Sequence, residues 1–328
     1  MNPRLATQVQ WRGRTGPSLR TLVGATHVRL DPEGVRAAFG ETEPTGATCI
    51  VGARREWPQF VRRAPAQPLR DLLTAACAQL PAGRAALALS GGVDSVVLAA
   101  LLRDRVVAYT LAPELPRYSG YSGHSGYDES SEAQAIADHL GIALRRVPVR
   151  EDDYVTALPA AIRGCECPLY NLHPVSRYLL AQAVRADGFD VLISGDGADE
   201  VFRGSDGADY LPIVGSLTRA AGLVAWAPFL DPAVAPWVAA DPAKRALRSL
   251  ACELGVPEAI AWRPKAPRFA PAMDLARHHD PAQIAALARS LGRTPATTTD
   301  RERVAWTTLA LFAREFPGLD LACVESPD

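Results

Sequence analysis

The chain has 328 residues with 35 basic and 36 acidic side chains, a formal charge of −1. That balance leaves no net electrostatic footprint for nucleic acid or an anionic membrane. No stretch approaches the roughly twenty uninterrupted apolar residues of a membrane span, and Met1–Arg20 lacks the apolar segment of a secretion signal, so a cytoplasmic protein of one large or two modest domains is expected.

Residues 1–66 are rich in Arg, Gly, Pro and Thr, with short runs such as Thr48–Val51 that suit strands, and read as a small appendage of β character. Pro65 and Pro68 mark a boundary, after which Leu69–Leu80 reads as a helix and 67–328 as the main domain. Strands are expected at Ala85–Leu89, Val106–Leu111, Leu144–Val149 and Val191–Ser194, and helices at Val96–Arg103, Ser131–Leu140 and Pro174–Ala186. This alternation predicts an α/β fold, a parallel sheet with helices on both faces. Tyr118–Tyr127 is a Gly/Ser/Tyr-rich loop after the second strand, and a lid or a plain solvated loop fits it equally. From Pro212 onward the pattern reads as an all-helical C-terminal region.

Six cysteines, at positions 49, 77, 165, 167, 252 and 323, are too sparse for a disulfide framework. Cys165 and Cys167 lack a second pair at zinc spacing and are expected to be ordinary buried thiols. Lysine usage says more: the 35 basic residues include only Lys244 and Lys265. A lysine kept against such a bias suggests a need for a compact ammonium rather than a planar guanidinium.

Two motifs carry chemistry. Ser90-Gly91-Gly92-Val93-Asp94-Ser95 lies between an apolar strand and an apolar helix, the layout of a phosphate-binding turn. The glycines let backbone N–H groups approach an anion, and the serines add hydroxyl donors. No lysine stands in it, so it is not the Gly-x4-Gly-Lys loop. Asp94 would repel phosphates unless Mg2+ lies between them. The second motif, Ser194-Gly195-Asp196-Gly197-Ala198-Asp199-Glu200, also follows an apolar strand. Its three crowded acids call for a compensating cation or donor, which suits a shared Mg2+.

With Ala227-Pro-Phe-Leu-Asp231, Lys244-x-x-Leu-Arg248 and Ala261-Trp-Arg-Pro-Lys265, these motifs resemble, in order and spacing, the synthetase domain of the class B asparagine synthetases and their β-lactam and carbapenam synthetase relatives, over roughly residues 68–275. The resemblance implies an ATP-pyrophosphatase (PP-loop) fold. It also implies ATP cleavage to pyrophosphate, an acyl-adenylate, and then an amide with release of AMP. It assigns Ser90, Gly91, Gly92 and Ser95 to the pyrophosphate cradle, with Ala88, Leu89, Thr110, Ser194, Gly195 and Lys244 completing the ATP site. Asp94 and Asp199 become the Mg2+ carboxylates. Asp196 and Lys265 become catalytic, and Glu166, near Pro168, resembles a catalytic Glu-Pro element, although a cap or core role fits it as well. Tyr170, His173 and Arg177 would share that cleft.

The resemblance is incomplete. Residues 1–66 are too few for a glutaminase domain and Asn2 follows Met1, so nitrogen is expected from ammonia or an amine. Val224 and Trp226 replace charged family residues expected beside the acceptor pocket, and Phe202-Arg-Gly-Ser205 replaces Phe-Gly-Gly-Tyr. A less charged or larger acid than aspartate is expected. The implied partners are small-molecule or peptide carboxylates and amines, with no nucleic acid or membrane. A homo-oligomer is compatible. Intramolecular lactam closure, tRNA-base adenylation and an inert nucleotide-binding partner are the alternatives, and the missing basic surface and Cys-x-x-Cys argue against the tRNA enzyme.

Overall fold

The structure is a computed structural model that describes residues 8–42, 48–56, 67–114, 128–203, 211–234, 241, 243–264 and 273–321. In chain order the N-terminal part gives β1 (Gln8–Trp11), β2 (Arg14–Gly16), α1 (Leu19–Val23), β3 (Val28–Arg29), α2 (Pro32–Ala38) and β4 (Ala53–Glu56). The central part gives α3 (Leu69–Ala78), β5 (Ala85–Ala88), α4 (Val93–Leu102), β6 (Val107–Pro113), α5 (Ser130–Leu140) and β7 (Leu144–Val149). There follow α6 (Glu151–Cys165), α7 (His173–Ala186), β8 (Val191–Ile193), α8 (Ala198–Arg203), α9 (Leu211–Ala220) and β9 (Val224–Trp226). The chain closes with α10 (Arg245–Glu253), α11 (Glu258–Ala261), α12 (Pro281–Ser290), α13 (Asp300–Arg314) and β10 (Leu319–Asp320).

The main sheet has the order β7-β6-β5-β8-β9 with every pairing parallel. From β5 the chain steps outward to β6 and β7, then returns through α6 and α7 to lay β8 on the other side of β5. The β5/β8 boundary is therefore the topological switch point, where connections diverge and leave a crevice at the strand carboxyl ends. Side chains on β5 alternate as a strand requires. Ala86 and Ala88 pack toward α7, beside Leu180, Ala181 and Val184, while Leu87 joins α4 in a second cluster. The eight buried residues of α4 lie on all its sides, because α3, α5, α10 and α11 surround it opposite the sheet.

Four expected strands appear within two residues of their expected ends, and the sheet gains a fifth. The region after Pro212 is not all helical: β9 pairs with β8 through Ile193 and Trp226. The unanticipated α6 also packs on α7 and α9. At the N-terminus, β2-β1-β4 form an antiparallel sheet, and β3 pairs in parallel with β10 from the opposite end of the chain. Val9, Trp11 and Leu19 share one apolar cluster with α6 and α13.

The described cysteines are free thiols. Burial pushes Cys77 and Cys165 up to about 12, which makes them unreactive. Cys49 and Cys167 are hydrogen-bonded to each other, and Cys323 lies outside the described residues. Among the described residues no helix is long and apolar enough to cross a membrane.

Candidate active site

Helix α4 begins at Val93, three residues before the expected start, which puts Asp94 and Ser95 in its first turn. The N-cap is Gly92 in extended backbone, with no side chain bonded over the helix end. First-turn N–H groups therefore face the crevice as anion donors. The loop is braced by its own hydroxyls. Ser95 Oγ accepts from Ser90 N at 3.1 Å and donates to the Gly92 carbonyl at 3.0 Å, and Gly92 N donates to Ser90 Oγ at 3.3 Å. A Cβ on Gly91 would run into the Arg263 guanidinium, which lies over it and would have to move aside. That guanidinium is tied to Glu132 at 2.8 Å.

The second turn follows β8 and packs backbone against the first. A Cβ on Gly195 would fall 2.9 Å from Asp94 Cβ and 3.1 Å from Ser95 N. Two strand ends thus present their acids to one another. Asp94 and Asp199 converge on the ammonium of Lys244, at 2.6 and 2.7 Å from the two Asp94 oxygens and 2.7 Å from Asp199 Oδ1. Asp196 is held by a different cation: Arg177 Nη2 donates to Oδ2 at 2.6 Å and Ser194 Oγ at 2.5 Å. The third acid, Glu200, is raised to about 7, mainly by burial and further by Asp196 and Asp199. The protein's own cations thus compensate two of the three acids for which the sequence suggested a shared Mg2+.

One cavity collects Ala88, Leu89, Ser90, Asp94, Ser95, Thr110, Gly195, Asp196 and Asp199 from the expected site. Gly91, Gly92, Ser194 and Lys244 are not part of its lining, although Ser194 and Lys244 hold the lining acids Asp196, Asp94 and Asp199. His173 and Arg177 also line it, as do Glu200 and Glu129, the latter not singled out by the sequence. Glu200 was visible in the second motif, while Glu129 and the covering role of Arg263 left no sequence signal. Lys265, the loop 118–127 and residues 204 and 205 lie outside the described residues.

Three expectations are corrected. Glu166 is not at the cleft. It sits in left-handed backbone (φ 51°) at the end of α6 and accepts from Ser18 Oγ, Leu19 N and Arg20 N at 2.6, 2.6 and 2.9 Å. It therefore caps α1, because those amides are orphan donors of a helix start. Tyr170 also lies elsewhere, stacked under Arg301 at 4.8 Å. Val224 and Trp226 pack in the sheet core rather than on the cavity wall, so they say nothing about the acid.

The donor set suits a hard divalent cation. Asp94 and Asp199 offer oxygens close enough to share one small ion, and among the described residues no cluster of three or more metal-ligating side chains exists. Mg2+ characteristically takes only one or two carboxylates and completes its shell with water and substrate phosphates. Asp94 and Asp199 would hold it, and it would neutralise phosphate charge there.

A parallel α/β sheet with a glycine-rich turn and an acidic turn at its switch point has the layout in which α/β proteins gather ligands. Residues 68–216 match the asparagine synthase family. That segment, a little under half of the chain, is similar to an asparagine synthase domain. Among curated proteins, amidase chyE of Penicillium rubens is 34% identical over 136 residues and amidase chry2 of Gibberella zeae 33% over 130. Each alignment covers 37% of this chain but only 19% of the relative, so the chain spans about a fifth of the length of the curated relatives it matches. Among solved structures, NMN synthetase from Francisella tularensis is 16% identical with a TM-score of 0.35, over 79% of this chain and 96% of that one. The NH3-dependent NAD synthetase of Campylobacter jejuni is 17% identical with a TM-score of 0.36, over 60% and 77%.

Proposed function

We propose that the protein is an AMP-forming amide ligase that activates a carboxylate with ATP and passes the acyl group to ammonia or an amine, without hydrolysing glutamine. The observation that carries this reading is the meeting of Asp94 and Asp199 at the β5/β8 crevice, beside the open N-terminus of α4. In the first step a substrate carboxylate oxygen bonds to the α-phosphorus and the bond to the bridging oxygen breaks, releasing pyrophosphate. The N-terminal turn of α4 and the Ser90–Ser95 loop bind the departing phosphates and hold them in line. In the second step the amine bonds to the acyl carbon, AMP leaves with the C–O electron pair, and the amine loses a proton.

Asp196 is the group in this chain suited to orient that amine and take its proton. Its Oδ2 is fixed by Arg177 and Ser194, which holds the carboxylate in one orientation. Arg177 is accordingly a positioning residue. Lys265, two residues beyond the arginine that covers Gly91, is assigned the ammonium that stabilises the developing negative charge. The acid, the amine and the choice between two molecules and internal ring closure lie with the acceptor side of the cleft. A cytoplasmic enzyme acting on small-molecule or peptide substrates, with Mg2+ as cofactor, completes the proposal.

The test is ATP–pyrophosphate exchange across a panel of acids, scored with AMP release and product mass when amines are added. Exchange that requires one class of acid supports the reading. ATP binding with no exchange across the panel would favour an inert nucleotide-binding protein.

A further inference from the structure

We propose that Lys244 is a built-in counter-ion: it keeps the Asp94 and Asp199 carboxylates together before metal is bound, and gives up at least one of them when a divalent cation enters. The inference rests on reading these two carboxylates as the metal pair.

One nitrogen lies 2.6–2.7 Å from both carboxylates, which is where a cation shared between the two turns has to sit. A metal would take the same oxygens at about 2.0–2.1 Å. Ammonium and metal therefore cannot hold both acids at once. Lys244 is 2% exposed, and without it the Asp94 and Asp199 carboxylates, 14% and 32% exposed, would face each other across the β5/β8 crevice as uncompensated like charges.

The backbone aims the side chain there and keeps it there. Lys244 is a non-glycine residue in left-handed conformation (φ 54°, ψ 38°), a strained placement that persists only where its surroundings impose it. Its N–H donates to the Asp241 carbonyl at 2.7 Å and its carbonyl accepts from Arg248 N at 2.9 Å, so the main chain is pinned and only the four-carbon stem is free to move. A guanidinium would be too broad for a point shared by two carboxylates, which accounts for one lysine surviving in a chain that otherwise uses arginine.

Two measurements on the nucleotide-free full chain test this. First, Mn2+ is titrated by electron paramagnetic resonance into wild type, Lys244→Met and Asp199→Asn. Lys244→Met is expected to bind Mn2+ at least about tenfold more tightly than wild type, because the competing charge is gone. Its melting temperature should fall by several degrees without metal and recover with Mg2+. Asp199→Asn should bind less Mn2+ than wild type. Equal or weaker Mn2+ binding by Lys244→Met overturns the proposal.

Second, in case Lys244→Met does not fold, wild type labelled with 15N-lysine has only two ammonium signals, and Lys265→Arg identifies the other. The Lys244 signal should be protected from exchange without metal and should shift or lose protection as Mg2+ saturates. An unmoved signal in protein shown to have bound Mg2+ overturns the proposal. Neither measurement uses ATP turnover. Failure to find any acid substrate would remove the ligase reading while leaving this result standing, and an unmoved lysine would do the reverse.

Discussion

Two joints in the molecule are built alike and do different work. At each, a non-glycine residue in left-handed backbone sends a buried charged side chain to a distant segment: Lys244 to Asp94 and Asp199, and Glu166 to the start of α1. Glu166 meets two backbone amides and the hydroxyl of the α1 N-cap Ser18, and closes the N-terminal part onto α6. Lys244 meets two acids that line a cavity at the strand ends. Backbone strain and burial thus mark both joints equally. The chemistry of the partners separates a structural clamp from a functional site.

The largest effect expected from this contrast is at the cleft. Asp94→Ala should lower acid-dependent pyrophosphate exchange by about a thousandfold or more while the protein stays folded, as seen by circular dichroism. Glu166→Ala should do the opposite. Three donors lose one buried acceptor, costing about 2–4 kcal/mol in urea unfolding, with the ATP KM within about threefold of wild type. A large change in KM with unchanged stability would return Glu166 to the active site.

Gly195→Ala lies between these two, because its Cβ would press on Asp94 and separate the turns. A loss of about 1–3 kcal/mol is expected, together with weaker nucleotide binding by calorimetry. The smallest effect is at Tyr109→Phe, beyond both joints. Burial and, after it, the hydrogen bond to Asp187 together raise the Tyr109 hydroxyl to about 12, because both favour the neutral phenol. Its stabilising contribution is therefore present below pH 10 and lost between about pH 10 and 12, and the stability of Tyr109→Phe should be flatter across that window in pH-dependent melting.

Much of the cleft was legible in the sequence. The Ser90–Ser95 and Ser194–Glu200 turns are punctuated by glycine and serine between apolar runs, which is a strong local signal. β9 was not, because three residues are too few to show a period. α6 was also missed, since Pro159 interrupts its pattern. The Lys244–Asp94 pair is separated by 150 residues and depends on tertiary packing. Glu166 shows the converse limit: its sequence neighbourhood matched a catalytic element, but its partners are Ser18, Leu19 and Arg20, a relation no local pattern encodes.

The most direct measurement is a crystal structure of the full chain with Mn2+ and a non-hydrolysable ATP analogue, using anomalous scattering to locate the metal. The account predicts one manganese peak bound by both Asp94 and Asp199, with the triphosphate at the N-terminus of α4. A peak that touches neither carboxylate, or a triphosphate outside the β5/β8 crevice, would contradict it.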